Sequence, residues 1–333
     1  MAPTTRRFDA LYRTACAVCA LALPCTATAQ PTWKPDRPVE IVLGSAAGNS
    51  IDRMARLVQR MILEKKLVDT PVAVLNKPGG GNTIAWNYLN GRAGDGHYLM
   101  VANLNLSLGH LTGTTPYSYR DFTPVCIMFH EYVAFAVRAD SPIKDGRDLI
   151  EKLKKDPGGA SFGLSSVLGG GNHVATALAM RAGGIDVKKL RVVVFDSAAK
   201  AMTAMLGGHL DVVAASASVP VPHIEAGKVR IIAVSAPRRL AGVYANAPTW
   251  REQGADAAFS NYRGFIGPKG LPPAHVAFWE RTLAVIDQDP AWRADLDRNQ
   301  LAADFTNGRD ARKYWDDLAG PLKGVLEDLG LAK

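Results

Sequence analysis

The chain has 333 residues, of which 47% are apolar and 21% charged, with a formal net charge of +8, so it is long enough to build two packed cores. Its Lys and Arg are scattered and no basic run is interleaved with aromatics, which argues against a nucleic-acid partner. Of four cysteines, Cys16, Cys19 and Cys25 crowd into the first segment; a disulfide framework is therefore excluded, and no apolar run reaches the roughly 20 residues of a membrane-spanning helix.

Arg6, Arg7 and Arg13 lead into an apolar run from Ala15 to Pro24, and Ala27-Thr28-Ala29 supplies the small-x-small pattern of a signal-peptidase site. Residues 1–29 read as a secretory signal peptide cut after Ala29, and the mature chain is expected in the periplasm. Lipidation at Cys25 is disfavoured because Pro24 stands where a small residue is wanted. Three arginines and one aspartate leave with this segment, so the charge falls to +6, a diffuse field that favours the approach of small anions and equally keeps the surface solvated. Cys126 then remains alone, expected as a buried thiol with no redox or metal role.

Val39 to Leu43 is a strand-type run, followed by a glycine-containing turn and by Ile51, Met54, Ala55, Val58, Met61 and Ile62 at helical spacing. The pattern recurs. Val72 to Leu75 precedes the loop Pro78-Gly79-Gly80-Gly81-Asn82, a helix from about Thr83, and a strand from His97 to Ala102. Farther on, Arg191 to Phe195 precedes Ala198, Ala201, Met202, Met205 and Leu206 at helical spacing, a Gly207-Gly208 stop, and a strand from Leu210 to Ala215. Strand, turn and helix in alternation give an α/β class with largely parallel sheets. Ala291 to Lys333 reads as helices that pack back on the first half.

No catalytic or metal motif is present. Gly44-Ser45-Ala46-Ala47-Gly48 has its serine one place early for a nucleophile elbow, Gly163-Leu164-Ser165-Ser166 lacks the closing glycine, and the triple glycines lack a P-loop lysine. The seven histidines show no metal-ligand spacing. No cofactor and no catalytic residue are expected; His173 and His223 have ordinary structural explanations. Loops rich in Gly, Ser and Asn do stand before three predicted helices: Ser45 to Ser50, Ser165 to His173, and Asp196 to Ala199. The start of a helix has unsatisfied N–H groups and partial positive charge, and so can hold a carboxylate. The candidate ligand-binding residues are Ser45, Ala46, Gly48, Asn49, Ser165, Ser166, Gly171, Asn172, His173 and Ser197. To these are added Asn103 and Asn105 at the end of the strand from His97, and Ser216 after the strand from Leu210. Ordinary capping and turn chemistry competes for the same residue types. Asp52, in the first turn after the first loop, is expected to brace that loop from behind.

Seven segments then resemble, in order, the periplasmic substrate receptors of tripartite tricarboxylate transporters, the Bug receptors. They are Pro38-Val39-Glu40-Ile41-Val42, Asn76 to Asn82, Asp121-Phe122-Thr123-Pro124-Val125, Leu206 to Asp211, Pro222 to Arg230, Ala247 to Gly254, and Tyr262-Arg263-Gly264-Phe265. The resemblance implies a two-lobed periplasmic-binding-protein fold of type II, a Venus flytrap whose lobes are each a mostly parallel sheet flanked by helices. It implies a discontinuous first lobe, here 33–132 with 236–333, and a second lobe over 133–235. It also implies capture of a small carboxylate in the cleft, largely by loop amides, by a monomer that delivers it to membrane permease subunits. A receptor that presents its solute to a membrane sensor, or an exported hydrolase on the same scaffold, is the competing reading; turnover of a bound ligand would identify the hydrolase. The chain departs from the family at its first loop, which keeps Gly48 and Asp52 but no prolines. It departs again at Phe195-Asp196-Ser197-Ala198, where Tyr-Lys-Gly-Ser is common, so a ligand with an amino or amide group beside its carboxylate enters consideration.

Overall fold

The computed structural model describes residues 33–48, 50–165 and 168–333; the expected signal segment and two candidate site residues, Asn49 and Ser166, lie outside the described residues. The chain begins with strand β1 (Val39–Leu43), almost wholly buried, and helix α1 (Ser50–Glu64), which turns Met54, Ala55, Val58, Met61 and Ile62 inward as one stripe. Then come β2 (Val72–Asn76), α2 (Thr83–Asn90), β3 (Tyr98–Asn103) and α3 (Asn105–Leu111). The long β4 (Thr123–Arg138) leads to α4 (Gly146–Lys155), β5 (Ser161–Ser165), α5 (Gly171–Ala182), β6 (Arg191–Phe195), α6 (Ala198–Leu206), β7 (Val212–Ser216), α7 (Val221–Glu225) and β8 (Val229–Val234). The chain closes with β9 (Ser260–Gly267), α8 (Pro273–Asp287), α9 (Pro290–Arg298), β10 (Ala302–Asn307) and α10 (Gly308–Asp328).

The strand order is β2-β1-β3-β9-β4-β7-β5-β6, with β10 and β8 also paired to β4. β1 runs parallel to β2 and β3, and β5 runs parallel to β6 and β7. The strands between these two triplets are antiparallel, so the architecture is mixed rather than mostly parallel. The reason is β4, which serves both halves: Thr123 to Tyr132 pairs with β9, whereas Val133 to Ala136 pairs with β7. All its neighbours, β7, β8, β9 and β10, run antiparallel to it, a pairing that needs no right-handed crossover.

Two details hold the crossing together. The buried Ser235 hydroxyl accepts from the Val133 N–H at 2.9 Å and donates to the Phe259 carbonyl at 2.7 Å. Gly264 lies so close to β4 that an added Cβ would collide with the Cys126 carbonyl oxygen and sit 2.7 Å from the Ile127 Cα. Cys126 itself is fully buried, and burial pushes its thiol well above the usual range, so it stays neutral and unreactive.

The C-terminal segment corrects the expectation of helices alone. Ala302–Asn307 forms β10, antiparallel to β4, with Ala303 and Phe305 packed on the core beside β4. Six residues of which only Ala302, Ala303 and Phe305 are apolar carry little strand signal; the pairing partner supplies it. α10 spans from β4 to α5, where Arg181 and Asp328 pair at 3.0 Å.

Candidate functional site

The first loop is held from below by a single carboxylate. Gly48, at φ +86, turns the chain into α1, and its N–H donates to Asp52 Oδ2 at 2.9 Å. Arg56 Nε donates to the same oxygen at 3.0 Å, while Asn76 Nδ2 donates to Asp52 Oδ1 at 3.0 Å and to the Ser45 carbonyl at 3.1 Å. The Arg56 guanidinium and the Gly48 N–H bring the Asp52 carboxyl down to about 2. Asp52 thus joins loop, helix and β2, while Ala46 and Gly48 remain exposed and Ser45 half-buried.

In the second loop, Asn172 Nδ2 donates to Ser165 Oγ at 2.9 Å, so the end of β5 is tied to the first turn of α5. His173 is buried behind that loop and accepts the Gly169 N–H on Nδ1 at 2.9 Å. Burial lowers its imidazole pKa, in keeping with a neutral acceptor. The third loop is engaged with its own helix: Ser197 accepts from the Lys200 N–H at 3.3 Å, and Lys200 Nζ pairs with the exposed Asp196 at 2.6 Å. The acid that breaks the family pattern therefore has its counter-charge four residues away. Asn103 accepts the Asn105 N–H at 2.9 Å, and Asn105 is exposed.

The structure adds a group that sequence reasoning missed. Antiparallel pairing sets Asn103 opposite Arg263, and Glu131 opposite Asn261. Glu131 and Arg263 are largely buried, 18% and 11% exposed, with Arg263 Nη2 3.3 Å from Glu131 Oε2. Arg263 Nη1 donates to Asn261 Oδ1 at 2.7 Å and to the Tyr262 carbonyl at 2.9 Å. Glu131 accepts from Asn261 Nδ2 at 3.3 Å and, on its other oxygen, from the Ser216 hydroxyl at 2.8 Å. Ser216 ends β7, so this polar network runs across the crossing strands from one half of the fold to the other. Both helix starts reach it. Ser50 and Ile51 of α1 line a cavity of about 20 Å³ together with Glu131 and Arg263, and Gly171 opens α5 where an added Cβ would lie 3.8 Å from Asn261 Nδ2. The sequence signal was a charged residue inside each of two apolar strand runs.

These loops follow the carboxyl ends of parallel strands, the edge where open α/β folds bind ligands, and the floor is formed by the antiparallel strands β4 and β9 between them. Against that geometry, the comparisons with known proteins are specific. The sequence pattern described as the tripartite tricarboxylate transporter family receptor matches residues 54–331. The chain belongs to this receptor family. A UPF0065 protein of Bordetella bronchiseptica is 30% identical over 280 residues, 81% of this chain and 79% of its own. The crystal structure of a TctC solute-binding protein from Polaromonas is 25% identical, with a TM-score of 0.79 over 89% of this chain and 99% of that one. A Rhodopseudomonas palustris protein solved with adipate is 21% identical, with a TM-score of 0.70 over 90% of this chain and 99% of its own. As in those solute-binding receptors, the fold here is a two-lobed periplasmic-binding-protein fold.

Among the described residues one Ser-His-Asp series occurs, built the wrong way round for a nucleophile. Ser260 Oγ lies 2.6 Å from His130 Nδ1, and His130 Nε2 lies 3.4 Å from Asp304. The serine is buried and also bonded to Tyr314 at 2.9 Å, while the aspartate is exposed. A nucleophile must be the member that substrate can reach. Asp304 lines a cavity of about 490 Å³ with Tyr132, Arg238, Asp297 and Gln300, which shares Leu301 with the small cavity at the start of α1. No cluster of three metal-ligating side chains occurs among the described residues, and no helix among them is long and apolar enough to cross a membrane.

Proposed function

We propose that this receptor is exported, that its lobes comprise 33–132 with 236–333 and 133–235, and that as a monomer it captures a small carboxylate between them without altering it. Release to the membrane subunits of a tripartite transporter follows. The observation that carries the reading is the approach of two helix starts, one from each half, to a single polar floor. Ser50 and Ile51 share a cavity with Glu131 and Arg263, and Gly171 adjoins Asn261. Each such start carries unsatisfied N–H groups and favours an anion by roughly 0.3 to 1 kcal/mol, or about 2 when partly buried. The adipate of the R. palustris neighbour supports the ligand class. The Asp52 and His173 contacts support bracing roles for those two residues behind the loops that hold the ligand.

A space of about 20 Å³ holds about one water, so a carboxylate enters only when the lobes part. The switch of β4 from β9 to β7 between Tyr132 and Val133 supports a hinge there. A ligand drives closure by contacts made only in the closed form. At about 100 times its Kd it stabilises the fold by roughly 2.7 kcal/mol. Thermal-shift screening of mono-, di- and tricarboxylates, amino acids and neutral sugars tests the ligand class, and X-ray scattering with the best hit tests closure. The expected result is a carboxylate hit that raises Tm by several degrees, is recovered chemically unchanged, and reduces the radius of gyration. Stabilisation by a neutral sugar alone, or consumption of the hit, would refute the reading.

A further inference from the structure

The floor of the cleft carries one acid and one base, and their arrangement bears on which carboxylates fit. Burying a guanidinium–carboxylate pair is costly in desolvation and gains little over an apolar pair of similar volume. The pair here is also loosely made, at 3.3 Å through a single guanidinium nitrogen. Arg263 is anchored elsewhere, to Asn261 and the Tyr262 carbonyl. Glu131 is anchored by Ser216 on one oxygen and by Asn261 on the other. Asn261 bridges the two, and each also has an anchor of its own, the Tyr262 carbonyl for Arg263 and Ser216 for Glu131, so the charges are held side by side, lining the cavity at the start of α1. The acids beside the candidate loops are already engaged, Asp52 by Gly48, Arg56 and Asn76, and the exposed Asp196 by Lys200.

We propose that Glu131 determines specificity in this receptor: it accepts the ammonium group of an amino carboxylate whose carboxylate lies on the helix starts and Arg263. This rests on the carboxylate reading and narrows it. A carboxylate alone gains from Arg263 and the helix starts but must lie beside the fixed negative charge of Glu131, which offsets the guanidinium. An ammonium on the neighbouring carbon converts that repulsion into a charge-assisted hydrogen bond. Arg263 and Glu131 then read the two ends of a zwitterion as they now read each other.

Titration calorimetry on matched ligands tests this: propionate, lactate and alanine; succinate, malate and aspartate. In the native protein the amino member of a set binds at least about tenfold tighter than the unsubstituted one, the effect of one hydrogen bond to a charged group. In Glu131→Gln the ratio collapses, with the amino member weakened and the unsubstituted member strengthened, a crossover that mere loosening of the fold does not produce. If Glu131→Gln fails to fold by circular dichroism, Glu131→Asp withdraws the charge by one methylene and lowers the same ratio. Equal affinity within each set, a preference for the hydroxy member, or a ratio unchanged by either variant overturns the proposal while leaving carboxylate capture intact. No binding by any carboxylate, with a neutral ligand bound instead, overturns both.

Discussion

Asp52→Asn tests the brace beneath the first loop. The Asp52 carboxylate accepts from Gly48, Arg56 and Asn76 at 2.9 to 3.0 Å while itself nearly buried. Asparagine keeps the size but removes the charge, and turns an NH₂ towards a site where donors already converge. The carboxyl falls from an ordinary 3.8 to about 2, which at about 1.36 kcal/mol per pH unit corresponds to about 2 kcal/mol of stability. Arg56 is half exposed, so solvent screening makes this an upper figure. Because the folded-state value lies below the unfolded one, this contribution is complete above about pH 4 and disappears as the pH falls through 2. Urea unfolding followed by tryptophan fluorescence, at pH 6 and at pH 2.5, should show the variant less stable by up to about 2 kcal/mol at the higher pH. The gap should shrink by more than half at the lower pH. A gap of the same size at both values would mean that the lost stability is steric, and that the carboxylate charge is not what holds the loop.

Two further substitutions probe the crossing strands. Gly264→Ala forces a methyl group against the Cys126 carbonyl and should cost about 1 to 3 kcal/mol by overpacking, measured by denaturant unfolding; an unchanged midpoint would contradict the close approach. Cys126→Ala at the same crossing deletes one buried sulfur and should cost about 1 kcal/mol of stability, with ligand affinity in calorimetry changed less than about twofold; a large loss of binding in a folded protein would give the thiol a role it lacks here.

The parts of the fold that could be read from the sequence are those whose signal is local. Val39 to Leu43 and the stripe from Met54 to Ile62 are each complete within one element, and the glycine-containing loop between them marks the turn. The same holds for Arg191–Phe195 and α6. β10 is not legible because its few apolar side chains take meaning only from β4, far earlier in the chain. His173 shows a different limit. A histidine in the first turn of a helix beside a Gly-rich loop fits a ligand contact as well as a brace, and the bond from the Gly169 N–H to Nδ1, which supports the brace, cannot be read from the sequence. Asp196 departs from the family pattern, and its counter-charge is Lys200, one helical turn on.

Glu131 and Arg263 were the least legible residues, and the reason is physical. A strand's period of two says that 129, 131 and 133 share a face, but not which strand lies opposite. That face meets Asn261 and Arg263 because β9 returns antiparallel with irregularities in its register, and it meets Ser216 because β4 changes partners after Tyr132. A register slip of one residue in β9 would turn Asn261 and Arg263 to the opposite face of the sheet and leave Glu131 with Ser216 alone. The loops are different: a backbone N–H at a helix start binds a carboxylate whatever side chain stands there, so composition alone points to them. On the proposed reading, affinity for a carboxylate rests on groups that a linear reading finds and discrimination among carboxylates on side chains that only the strand register brings together, so variants at 131 and 263 should change the choice of ligand before they change the fold.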